Sequence, residues 1–210
     1  MKSLLEGLRH FQRDVLPQKR DLFSHLAKGQ QPSAMFVGCS DSRVDPNLLT
    51  STEPGELFVL RNAGNVVPPY GASTGGEAAA VEYAVQVLGV SQIIVCGHTH
   101  CGAVQALLEE GAAADLPALR GWLTQLEATR RVVNEQRDEI EPEKLLERAV
   151  QTNVLVQLAN LATHPVVAAR VQSGDLRLIG CVYWIETGVV AHTVVNDQGG
   201  WDWVTLSPDD

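Results

Sequence analysis

Three observations predict a three-layer α/β/α fold with a mainly parallel central sheet, an antiparallel edge strand and an N-terminal helical arm. Short apolar runs of strand length alternate with helical patterns along the chain. The runs are continuous in their hydrophobicity, as strands covered on both faces are. The last two are joined by Glu186-Thr187-Gly188, a hairpin signal. Strand alternating with helix implies crossover connections and parallel pairing, and the closing hairpin adds the antiparallel edge. At 210 residues one domain is expected, with an arm over 1–28 and the α/β core over 29–210.

Each element has its own signal. In the arm, Leu4, Leu5, Leu8, Phe11 and Val15, then Leu22, Phe23, Leu26 and Ala27, recur at amphipathic helical spacing, with Pro17 between the two groups. After the turn residues 29–33, the run 34–38 reads as a buried strand ending at Cys39, and 57–60 as a second ending at Arg61. A Pro/Gly-rich stretch over 66–76 leads into a helix from Glu77 whose stop is Gly89. The third strand, 92–96, runs into Gly97-His98. Helices are expected over 101–108, 117–137 and 143–161, with a solvated loop over 109–115. Strands at 176–183 and 189–195 complete the pattern.

Composition narrows the function. With 16 basic and 25 acidic side chains the net charge is −9, which disfavours a phosphate-neutralising grip on nucleic acid. No apolar run reaches the roughly 18 residues of a membrane span, and the start MKSLLEGLRHFQRD lacks the apolar core of a signal peptide, so a cytoplasmic protein is expected. Four cysteines with no Cys-x-x-Cys pair are too sparse for a disulfide scaffold or a paired-Cys zinc finger. Nucleotide loops, the Gly-x-Ser-x-Gly elbow and His-Glu-x-x-His are absent from the sequence.

Ligand sites in open parallel sheets lie at the carboxyl ends of strands, and two strand ends here deliver polar, thiol-bearing loops: Cys39-Ser40-Asp41-Ser42-Arg43 and His98-Thr99-His100-Cys101-Gly102. Cys39, His98 and Cys101, with Asp41 nearby, form a soft donor set that selects zinc, and three ligands leave a fourth position open for chemistry. Cys96 and Cys181 lie within apolar runs and read as core. A Cys39 nucleophile is the competing reading, but a phosphatase loop of the form Cys-x5-Arg requires Arg where Asp45 stands.

The segments CSDSRVDP, GELFVLRNAGN and GHTHCGAV, with VYWIETG near the end, resemble the signature segments of the β-class carbonic anhydrases of the plant and bacterial type, cyanobacterial members in particular. The resemblance covers most of the chain. It implies zinc-dependent reversible hydration of CO2 to bicarbonate and a proton by zinc-bound hydroxide, with one Zn2+ per subunit held by Cys39, His98 and Cys101. Asp41 and Arg43 correspond to the family's catalytic dyad, and Asp41 is also a candidate fourth zinc ligand if Arg43 releases it. Gln30 would donate to substrate, Phe58, Ala63 and Tyr83 would line the CO2 pocket, and Gly102 would leave room near the metal.

The same resemblance implies a homodimer or higher homo-oligomer whose pocket is completed across the interface, with Gln30 serving the neighbouring subunit. Its expected partners are CO2 and bicarbonate. Two thiolates cancel the charge of the metal, so activity should favour the alkaline side. Phe36 stands where the bicarbonate-inhibited subgroup has Trp, which implies an open site, while Cys181 and Trp184 depart from the family's usual Trp and carboxylate. The chain stops at 210 without the long tail of some carboxysome-associated relatives, so association with carboxysome components stays open. A catalytically silent zinc-stabilised assembly protein and a CS2 or COS hydrolase on the same scaffold are the alternatives. His100 is a candidate to pass the product proton to buffer, since imidazole exchanges protons near neutrality.

Overall fold

A computed structural model describes residues 3–72 and 75–207. The chain forms two compact units, Met1–Gln31 and Pro32–Asp210. The first holds α1 (Leu4–His10) and α2 (Arg20–Leu26). Ser3 caps α1 in a capping box, its hydroxyl accepting from the Glu6 amide and the Glu6 carboxylate accepting from the Ser3 amide. Pro17 does not interrupt the helical path as expected. A π-helical stretch (Phe11–Val15) and a 3₁₀ stretch (Leu16–Lys19) carry the chain from one helix to the other, because proline is tolerated in a first turn, where its missing N–H has no intrahelical partner.

In the second unit β1 (Ala34–Cys39), α3 (Pro46–Thr50), β2 (Leu57–Asn62), α4 (Gly76–Glu82) and β3 (Gln92–His98) follow in order. Then come α5 (Gly102–Leu108), α6 (Pro117–Leu123), α7 (Glu127–Glu135), α8 (Leu145–Ala162) and α9 (Pro165–Gln172), and last β4 (Arg177–Tyr183), β5 (Val190–Val195) and β6 (Trp201–Thr205). The sheet order is β2-β1-β3-β4-β5-β6. The first four strands pair in parallel and the last two antiparallel. The α/β fold with its mainly parallel sheet is therefore as expected, while the edge is β6 rather than β5. Trp201, Trp203 and Val204 give β6 its strand-forming residues, but a turn centred on 197–199 precedes it with no apolar run to announce it.

Helix boundaries differ in places. The predicted helix over 117–137 is two helices joined by the 3₁₀ turn Thr124–Leu126. The helix from Gly76 widens into the π turn Tyr83–Val87 before Gly89 at φ +69°. Two short helices escape pattern reading. Asp45 caps α3 through the amides of Asn47 and Leu48, with Pro46 in the first turn, which gives Asp45 a structural task. Pro165 likewise opens α9.

Registers Met35↔Ile93, Ile93↔Leu178 and Val37↔Val95, Val95↔Gly180 line one sheet face, and α8 and the segment 81–85 join it in the main core. A Cβ on Gly97 would stand 2.9 Å from both Val150 Cγ1 and Val154 Cγ2, and one on Gly180 2.7 Å from Val154 Cγ1. These two glycines let α8 lie directly on β3 and β4. A polar ladder on the buried α8 grips the chain after β2: Asn153 Nδ2 donates to Gly64 O, Gln157 Oε1 accepts from Val67 N and Asn160 Nδ2 donates to Val67 O, each at 2.9 Å. Among the described residues no single helix is long and apolar enough to cross a membrane.

Candidate metal centre

After β1 the chain crosses to β2 on one side, and β3 then enters on the other, so the strand order reverses between β1 and β3. The crevice at such a reversal, outside the carboxyl ends of the strands, is where open α/β sheets hold ligands. Cys39 is the last residue of β1 and His98 the last of β3. Cys101 stands at the N-terminal boundary of α5. One ligand atom from each of the three lies within 4.8 Å of the others, the two sulfurs 3.9 Å apart. All three residues are buried.

The imidazole is oriented by its neighbour. His98 Nδ1 lies 2.8 Å from the Thr99 carbonyl, which can only accept, so Nδ1 carries the proton and Nε2 keeps its lone pair. Nε2 is fully buried with no hydrogen-bond partner among the described residues. Such an orphaned acceptor beside two thiols is what a metal ligand presents. The donor set fits zinc.

The sulfurs differ. Cys101 first, and then the Gly64 amide, which donates to Sγ at 3.4 Å, pull the Cys39 thiol below its usual value against the opposing effect of burial. Cys101 is pushed up, first by its contact with Cys39 and then by burial. The two shifts run in opposite directions, so Cys39 is the more acidic thiol of the pair.

Beside them Arg43 grips Asp41 with a fork, Nε to Oδ1 at 2.9 Å and Nη2 to Oδ2 at 2.7 Å, while its amide donates to Oδ1 at 3.0 Å. This guanidinium holds the Asp41 carboxyl well below the usual carboxylate range. Asp41 Oδ2 stands 3.9 Å from His98 Nε2. Arg43 Nη2 also donates to the carbonyl of His100, at 3.1 Å, and His100 adopts φ +56°. A second arginine braces the turn, Arg61 donating to the carbonyls of Cys39 and Asp41 at 2.8 and 2.7 Å.

The carbonic anhydrase family model matches residues 34–190. A carbonic anhydrase of Synechocystis sp. is 51% identical over 191 residues, covering 90% of this chain and 70% of the relative. One of Pseudomonas aeruginosa is 50% identical, covering 90% and 85%. The solved β-carbonic anhydrase CcaA superposes with a TM-score of 0.91 at 48% identity, over 98% of this chain and 92% of that one. The chain belongs to the β-carbonic anhydrase family.

Within this β-carbonic anhydrase the residues singled out in the sequence are placed as follows. Cys39, Asp41, Arg43, His98 and Cys101 converge in one crevice. Phe58 packs against the core cluster that contains Cys39 and Cys101, and its ring lies 5.9 Å from that of Tyr83, which is half-exposed. A Cβ on Gly102 would meet open space. Ala63 offers its carbonyl to the indole of Trp122. Gln30 belongs to the N-terminal unit and is exposed.

Pattern reading missed the residues that brace the site. Thr99 Oγ1 donates to Glu186 Oε2 at 2.9 Å and accepts from the Ile185 amide at 3.0 Å, and His100 Nε2 also meets Glu186. The loop after β3 is thus tied to the segment after β4. Arg61, Gly64, Trp122 and Asn153 act through backbone groups, which leave no spacing signal in a sequence.

Proposed function

We propose that this chain catalyses the reversible hydration of CO2 to bicarbonate and a proton at one zinc ion per subunit, held by Cys39 Sγ, His98 Nε2 and Cys101 Sγ. The observation that carries the reading is the convergence of two thiols and one orphaned imidazole nitrogen beside a carboxylate that an arginine fork holds. Membership of the family supports it. Bound zinc acts as a Lewis acid that makes water acidic enough to attack at neutral to alkaline pH.

The residues of the chain do the rest. Arg43 engages both Asp41 oxygens, which keeps Asp41 ionised and away from the fourth ligand position. Asp41 Oδ2 would accept a hydrogen bond from the attacking oxygen, once that oxygen has lost a proton, and so hold its lone pair toward the carbon of CO2. CO2 carries no charge, so an apolar wall suits it, and Phe58, Ala63 and Tyr83 form that wall in this reading. Gly102 leaves the space, and Gln30 of a neighbouring copy supplies a donor. A homo-oligomer fits this reading, as tetrameric β-carbonic anhydrases of Sordaria macrospora, 30% identical with a TM-score of 0.78, are known. Four free cysteines suit a reducing cytoplasm.

Stopped-flow CO2 hydration with a pH indicator, at pH 7 and 8.5 on reduced protein of counted zinc content, tests the proposal. About one zinc per chain with rapid hydration at both values is expected. Activity at the higher pH alone would mean that Asp41 closes the metal near neutrality. Zinc without hydration at either pH would overturn the proposal in favour of an assembly protein or of another substrate such as COS.

A further inference from the structure

The peptide joining Ala63 to Gly64 is engaged at both ends. Its N–H donates to Cys39 Sγ at 3.4 Å, and its C=O accepts from Trp122 Nε1 at 2.8 Å. The flanking chain is held as well. Asn153 Nδ2 holds the next carbonyl, Gly64 O, at 2.9 Å, while Asn62 holds Val66 in both directions, at 2.7 and 2.8 Å. Gly64 sits at φ +82°, and a Cβ there would lie 3.3 Å from Ala103 Cβ.

Trp122 comes from α6, remote in sequence from both strand-end loops, and packs against the small cluster of Val66, Leu107, Ala113, Leu123 and Leu126. Its indole has one polar group, and that group is spent on the Ala63 carbonyl. A donor on a peptide carbonyl polarises the same peptide, which makes its N–H a stronger donor at the other end. An N–H bond to a thiolate withdraws charge from sulfur, and partners of this kind orient a ligand and tune the metal it holds.

We infer that Trp122 is a positioning residue for the metal centre, its indole N–H acting through the Ala63–Gly64 peptide to fix the place and donor strength of Cys39 Sγ. The inference rests on the reading of Cys39 as a zinc ligand.

The test compares full-length wild type, W122F, which keeps an aromatic ring but loses the N–H, and L119A, which trims a neighbour packed on the same cluster. Two quantities are read on each: zinc affinity by competition with a chromophoric chelator, and the near-ultraviolet thiolate-to-metal charge-transfer band with Co(II) in place of zinc. W122F is expected to weaken zinc about tenfold, as Cys39 Sγ loses its fixed place, and to move the band to longer wavelength, as the sulfur regains charge. L119A is expected to lower the melting temperature and leave both readings in place. An unchanged band with affinity within twofold in W122F would overturn the inference, as would equal shifts in L119A. Should W122F fail to fold, a benzothiophene analogue of tryptophan at position 122, equal in shape but lacking the N–H, is subject to the same two outcomes. Wild type that takes up no zinc would instead remove the ligand reading itself, a failure visible before any variant is compared.

Discussion

Replacing Arg43 separates charge from geometry at the dyad. The native side chain makes two contacts to Asp41, at 2.9 and 2.7 Å, and a third to the His100 carbonyl at 3.1 Å. Lysine keeps the positive charge but has no fork, so R43K retains at most one of the two carboxylate contacts. Arg43 is 46% exposed, so solvent screens both contacts and only part of their strength reaches the oriented carboxylate. One lost bond then corresponds to at most roughly a tenfold fall in kcat/KM and two to at most roughly a hundredfold, so R43K and R43A should separate by up to about one order of magnitude. Stopped-flow hydration at saturating buffer measures both. R43A within twofold of wild type, or R43K equal to R43A, would refute the claim that the fork orients Asp41. The acid limb gives a second reading. Because Arg43 depresses the Asp41 carboxyl, its stabilising contribution is present above the unfolded value of about 3.9 and fades as pH falls below it. R43A should therefore show a shallower loss of stability below pH 4 in equilibrium unfolding.

Further outcomes follow from other parts of the site. G97A places a methyl group 2.9 Å from Val150 and Val154 and should cost about 1–3 kcal/mol, seen as a lower melting temperature; an unchanged one would mean that α8 yields freely. With Cys39 pulled below its usual value and Cys101 pushed up, zinc uptake by metal-free protein at pH 7 should release about one thiol proton, and affinity should rise with pH between 7 and 8.5. An unbuffered indicator titration counts the proton, and release of none would contradict the assignment. E186Q should leave zinc content intact but loosen the loop that Thr99 and His100 anchor, lowering kcat/KM severalfold; hydrogen exchange over 98–101 reads the loosening directly.

How legible the molecule is in its sequence depends on whether a side chain or a backbone group does the work. The parallel strands are readable because burial on both faces writes unbroken apolar runs such as Met35-Phe36-Val37 and Ile93-Ile94-Val95. Cys39, His98 and Cys101 are readable because soft donors at strand ends are uncommon. By contrast β6 follows a polar turn with no run of its own, and α3 and α9 rest on a cap or an opening proline rather than on periodicity. Asn153, Gln157 and Asn160 read as ordinary polar positions on a helix, yet they are the groups that hold the chain after β2. Arg61 reads as a strand terminus and braces two carbonyls of the ligand loop. Such residues recognise main-chain atoms, whose positions exist only once the fold does.

The adjacency of β1 and β3 has a consequence for the order in which the chain assembles. Cys39 and Cys101 meet across 62 positions of sequence, and the whole of β2 and its crossover lies between them. Closing so long a loop is entropically costly before native contacts reward it. The donor triad therefore exists only in a chain in which β3 has docked beside β1. Metal retention during denaturation consequently reports on that single strand pairing, and should be lost before the helical signal fades.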